Sequence, residues 1–199
     1  SYRVCESNDG CYGAWIAAAI YAAIEDGVNI INLSIAGPGH DEVVKEAIDA
    51  AVARNILVIA AAGNSPPYSW MGYPAVYPTV VSVGAIRENL AEWPYSAPGH
   101  NDDDFVREHF EIEVAAPGVG VLAALKTVCY VLGDGTSLAA PHVAGLAAKL
   151  WNGDARALRT RLQASAQTHD LYVAGCDSLT GFGLPTIATT ADIFLNKAI

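Results

Sequence analysis

The chain has 199 residues, 52% of them hydrophobic, with a formal net charge of −10 and a sequence pI near 4.7. That size and apolar content suffice for the core of one domain. The acidic balance argues against a nucleic-acid partner, which calls for a basic stripe along the phosphates, and no apolar stretch is long enough to cross a bilayer.

Apolar runs alternate with helical patterns: strand Tyr2–Cys5, helix Tyr12–Asp26, strand Val28–Leu33, helix His40–Arg54, strand Ile56–Ala61 and strand Val80–Gly84. Gly27 and Asn55 stand where the helices must stop, and the strands lack polar alternation, as in a parallel sheet buried on both faces. The stretch 65–116, rich in proline, glycine and aromatics, reads as binding loops with a short strand at Ile112–Ala115. Its acids, among them Asp102, Asp103 and Asp104, read as a solvated loop rather than a cation site. Val119–Ala124 and Thr127–Leu132 read as a hairpin leading to a helix over Thr136–Leu150, and helices over Asp154–Ala164 and Pro185–Asn196 finish an α/β domain.

Cys5 and Cys11 flank a turn-like segment, and their spacing favours a local disulfide, with Cys129 and Cys176 as the pair left over. Neither spacing resembles a zinc site. An even number of cysteines fits an exported, oxidised protein, with four free thiols in a cytosolic enzyme as the alternative.

One segment carries chemistry: Gly133-Asp134-Gly135-Thr136-Ser137-Leu138-Ala139-Ala140-Pro141-His142-Val143-Ala144-Gly145. Glycines allow close backbone approach, small residues let the helix pack beneath, and the positive end of that helix faces Ser137, which suits a nucleophile. An N-cap serine alone gives the same local pattern. Asn64 ends the apolar run Val58–Gly63 beyond a strand end, where ligands of open α/β sheets bind, and its amide N–H suits an oxygen that becomes negative in acyl transfer. An asparagine in a left-handed turn is the plainer alternative.

These residues, with Asn32-Leu33-Ser34-Ile35-Ala36-Gly37, Ala61-Ala62-Gly63-Asn64 and Gly72-Tyr73-Pro74, closely resemble the subtilisin-like serine proteases in order and approximate spacing. The resemblance implies a three-layer fold with a mostly parallel central sheet between helices, incomplete in this chain. It implies Ser137 as nucleophile and Asn64 as oxyanion donor. Ser34, Ile35 and Ala36 match the strand that pairs with an extended substrate, with Ala36 where the family often has glycine. Ala61, Ala62, Gly63 and Gly72 match the walls of the main specificity pocket, and small walls suit a large apolar side chain.

The family's aspartate and its His-Gly-Thr histidine lie upstream of everything here, and no His-Gly pair occurs in the sequence. Residues 1–199 are therefore read as the C-terminal portion of a single peptidase domain, with the aspartate and histidine on an upstream segment, either of the same chain or as a separate processed one. None of His40, His100, His109, His142 or His169 is expected to replace that histidine; His142 lies on the same helix as Ser137 but points away.

No organic cofactor and no metal is expected in this chain, and structural calcium is left to the upstream part. Tyr73–Pro78 resembles a loop whose carbonyls bind a weak cation in relatives, and Arg87 is expected to supply that charge instead. The implied function is a secreted serine endopeptidase acting on peptides or proteins. A non-catalytic peptide-binding domain and a transpeptidase remain alternatives.

Overall fold

The computed structural model describes residues 1–6, 10–65, 70–102, 106–124 and 129–187. Two short strands, β1 (Cys5–Glu6) and β2 (Gly10–Cys11), pair antiparallel and are closed by a Cys5–Cys11 disulfide. Helix α1 (Gly13–Glu25), strand β3 (Ile30–Leu33), helix α2 (Glu42–Ala53) and strand β4 (Leu57–Ala61) follow. With β5 (Val81–Ile86) and β6 (Val114–Pro117) they build a parallel four-stranded sheet in the order β3-β4-β5-β6. A separate antiparallel hairpin, β7 (Val121–Ala124) and β8 (Tyr130–Gly133), leads into α3 (Thr136–Leu150), and α4 (Ala155–Gln167) is the last helix among the described residues.

Strand β4 sorts the layers. Its side chains alternate between faces, so Val58 and Ala60 join Ile16, Ile20, Ala47 and Ile48 of α1 and α2 in one core cluster. Leu57, Ile59 and Ala61 join Ala139 and Val143 of α3 and Leu158 of α4 in the other. All five β4 residues are buried, which is why the run reads as continuously apolar. This is the expected three-layer arrangement.

Local chemistry sets the element ends. Asp41 caps α2 by accepting from Val43 N and Val44 N, and Asp154 caps α4 by accepting from Arg156 N and Ala157 N. Gly27 and Asn55, beyond α1 and α2, take φ of 69° and 63°, the left-handed stop.

Three expectations need correction. Tyr2–Cys5 is not a strand of the sheet: only Cys5–Glu6 is in a ladder, and its partner is β2. Tyr2 and Val4 instead flank a cavity of about 460 Å³ whose opposite side is β3, so the backbone neighbour a strand needs is not beside them. Cys129 and Cys176 are both free thiols, not a pair: Cys129 is exposed at the hairpin, whereas Cys176 is buried beside Asn101, whose Nδ2 donates to its Sγ at 3.1 Å. Pro185–Ile187, the described start of the expected last helix, is not helical; residues 188–199 lie outside the described residues, as do Thr127, Asp103 and Asp104.

Candidate active site

Ser137 is the second residue of α3, so its backbone N–H has no helical acceptor behind it and points out of the helix N-terminus. The chain enters through Gly135 at φ 152°, and Gly135 N donates to Gly118 O at 2.7 Å. That approach excludes a side chain: a Cβ on Gly118 would stand 2.7 Å from Gly135 O and 2.8 Å from the Ala85 Cβ. The Ser137 hydroxyl donates to Ser34 O at 3.3 Å, and the Ser34 hydroxyl donates to Ser137 O at 2.8 Å. A reciprocal pair of bonds thus joins the helix start to the segment after β3.

Asn64 lies just past β4, with its neighbours tied to another loop: Ser65 N donates to Tyr95 O at 2.7 Å and Ala97 N to Gly63 O at 2.9 Å. Its side-chain oxygen accepts from Thr136 N and from the Thr136 hydroxyl, both at 3.0 Å. Because a backbone N–H can only donate, these bonds fix which end of the amide faces the helix. Asn64 Nδ2 is left on the other side with no hydrogen-bond partner among the described residues, and it would sit 3.3 Å from a Cβ on Gly135. Thr136, completely buried, also accepts from Gly63 N at 3.1 Å.

Ser34, Ile35 and Ala36 leave the β3 ladder and run half-buried to Gly37, which bridges antiparallel to Tyr73. The Ala36 methyl lies between two glycines, 3.3 Å from where a Cβ would stand on either Gly63 or Gly72. Gly72 N donates to Ala62 O at 2.7 Å, closing the wall. The side chains of Ala61 and Ala62 are fully buried in the two core clusters, so these two residues offer a cleft their backbones.

The family model described as "Peptidase_S8: Subtilase family" matches residues 1–183. The chain belongs to the subtilase family. It is 38% identical over 167 residues to subtilisin DY of Bacillus licheniformis, an alignment that covers 80% of this chain and 57% of that protein. Among solved structures it superposes on the S41 psychrophilic protease with a TM-score of 0.85 at 30% identity, covering 94% of this chain and 68% of that one. Sphericase gives the same TM-score at 31% identity, with 94% and 67% covered. The chain thus spans little more than half the length of subtilisin DY.

In this subtilase chain no histidine bonds to Ser137 among the described residues. His142 is exposed and its Nδ1 meets Leu138 O at 2.8 Å, back along its own helix. His40 bridges Glu42 and the Tyr77 hydroxyl, His100 stacks on Trp70, and His169 Nδ1 lies 3.0 Å from Ser165 O.

The guanidinium at the Tyr73–Pro78 loop is Arg107, not Arg87. Arg87 turns outward and its Nε donates to Glu92 O, whereas Arg107 Nη2 donates to Ala75 O at 2.7 Å. Burial lowers the Arg107 pKa to about 10 and the Glu113 carboxylate opposes that shift, so the guanidinium stays charged at neutral pH. Glu113, fully buried, accepts from Arg159 Nε at 2.8 Å and from Gln163 Nε2 at 2.9 Å, while Arg159 Nη2 also reaches Pro78 O at 2.7 Å. Two arginines therefore hold one loop by its carbonyls.

Thr136 is the residue that sequence reasoning passed over. The signal was present, a second hydroxyl immediately before Ser137, but its acceptor, Asn64 Oδ1, and its donor, Gly63 N, lie 72 and 73 residues away.

Proposed function

We propose that this chain is the nucleophile-bearing part of a subtilase serine endopeptidase, completed by an upstream segment that brings the aspartate and histidine. The observation that carries the proposal is the pairing of an Asn64 amide turned by Thr136, its N–H unused, with a Ser137 hydroxyl at a free helix N-terminus. Two donors, Asn64 Nδ2–H and Ser137 N–H, are then available to an oxygen that gains negative charge.

In the completed enzyme, a peptide lies along Ser34–Ala36 and the upstream histidine takes the Ser137 proton as Oγ attacks the carbonyl carbon. The two donors hold the oxyanion. The intermediate collapses, the C–N bond breaks, and the histidine returns the proton to the departing amine; water then hydrolyses the acyl ester by the same route.

The open edge of β3 supports the upstream partner. Among the described residues that strand pairs only with β4, and its free side faces the 460 Å³ cavity lined by Ile16, Ile20, Tyr2 and Val4. An unpaired edge above an apolar floor suits one further strand. The Cys5–Cys11 disulfide supports an extracytoplasmic location; among the described residues no helix is long and apolar enough to cross a membrane.

A fluorophosphonate probe applied to the whole protein, with the modified residue mapped by mass spectrometry, tests the reading. An adduct on Ser137 that disappears in Ser137→Ala supports it. An intact, folded protein that takes no adduct and cuts no peptide sinks it.

A further inference from the structure

A second cavity, of about 450 Å³, opens beside the segment that follows Ser34, and its chemistry differs from the glycine-walled space next to Ser137. One wall is Ile35, Ala36 and Gly37, and the facing wall is Gly10 and Cys11 of the disulfide-closed hairpin. Ile16 and Val44 give it an apolar floor, and the rings of Tyr73 and Tyr77 stand at its side.

One charged group lines it, Asp41. The Asp41 Oδ1 accepts from the first turn of α2, at 3.0 Å from Val43 N and 3.2 Å from Val44 N. Its Oδ2 lies over Gly13, only 1.8 Å from where a Cβ would be, so the absence of a side chain at Gly13 is what gives that oxygen its place. Lys45 pairs with Asp49, its ammonium 5.3 Å from the centre of the Tyr77 ring, and His40 pairs with Glu42, whereas Asp41 has no ion-pair partner among the described residues.

We propose that this cavity takes a cationic side chain of the peptide substrate, arginine above lysine, with Asp41 as the residue that selects it. The inference rests on the reading of Ser34–Ala36 as the peptide-binding segment. An extended peptide along that segment delivers alternate side chains to its flanks, and the cavity lies at the end farther from Ser137. An arginine side chain brings two things the cavity complements: an apolar stem for Ile16 and Val44, and N–H donors for Asp41 Oδ2. An acidic substrate residue there would meet a like charge.

The test is binding to the whole protein carrying Ser137→Ala, so that it reads the cavity whether or not the serine cuts. Fluorescein-labelled hexapeptides of serine and alanine carry one arginine, norleucine or glutamate, moved one position at a time, and affinity is read by anisotropy. At one position arginine should bind at least ~10-fold tighter than norleucine, the range of a charge-assisted hydrogen bond, with glutamate weakest. Asp41→Asn keeps an oxygen for the helix cap and should erase that preference. Equal affinity at every position, a preference that survives Asp41→Asn, or no peptide binding at all overturns the proposal. Cleavage of the same peptides by the unmutated protein separates this outcome from the function itself: cutting without an arginine preference leaves the endopeptidase reading standing and removes the role of Asp41.

Discussion

Thr136 holds the Asn64 side chain by two bonds to a single oxygen, one from its backbone N–H and one from its hydroxyl, both 3.0 Å long. The hydroxyl bond is the removable half. Thr136→Val, which keeps the shape, removes both that bond and the one its oxygen accepts from Gly63 N, and should lower kcat by about 10-fold or more with little change in KM, since each neutral hydrogen bond is worth about 0.5–1.5 kcal/mol. Thr136→Ser should restore most of it. An equal loss in both variants, or a rise in KM alone, would show that Thr136 merely packs.

Asn64 itself has a larger expected effect. Asn64→Ala removes the unpartnered amide N–H, and kcat should fall by about 10²–10³-fold at nearly constant KM, the usual consequence of deleting one oxyanion donor. Peptide-hydrolysis kinetics check this directly, and a kcat within a few-fold of the parent would remove Asn64 from the chemistry.

Glu113 is buried with no exposed surface, beneath Arg159, Gln163 and Arg107, so its removal strands guanidinium charge in the core. Glu113→Ala should destabilise the protein by about 3–5 kcal/mol, the range for breaking a buried pair at one partner. Urea denaturation at pH 7 measures it. A loss below about 1 kcal/mol would mean the two arginines relax to water.

The two free thiols should separate cleanly. Cys129 is exposed, whereas burial pushes the Cys176 thiol up to about 11. In the folded protein at pH 8, iodoacetamide should modify Cys129 within minutes and leave Cys176 intact until unfolding. The linkage follows in sign: on raising the pH, the unfolded chain ionises at the ordinary thiol value first. Stability tied to Cys176 is full below that value and declines towards pH 11. Peptide mapping after timed alkylation reads the first point, and Cys176→Ala should flatten that part of the stability curve.

What could be read from the sequence was whatever is local or periodic. Helix ends were legible because Gly27 and Asn55 act within one turn, and the layered sheet was legible because runs such as Leu57–Ala61 are apolar throughout. The family motifs singled out Ser137 and Asn64, and the structure brings Asn64 against Thr136, the residue before Ser137. Partnerships over long separations were not legible. The resemblance pointed to Arg87 as the charge at the Tyr73–Pro78 loop, and only the fold brings Arg107 back to Ala75. Cys129 and Cys176 looked like a pair by subtraction, an argument without geometry. The role of Thr136 required knowing that Gly63 and Asn64 arrive above the start of α3.

The alternation along β4 also bears on how this chain can change over evolutionary time. Leu57, Ile59 and Ala61 belong to one core and Val58 and Ala60 to the other, and the same strand ends two residues before Gly63 and three before Asn64. Inserting or deleting a single residue there would exchange the two cores and shift the amide by about 3.3 Å at once. Such a lineage would lose its architecture and its chemistry in one event, with no intermediate on which selection could act. Substitution is open to β4, but variation in length is confined to the loops.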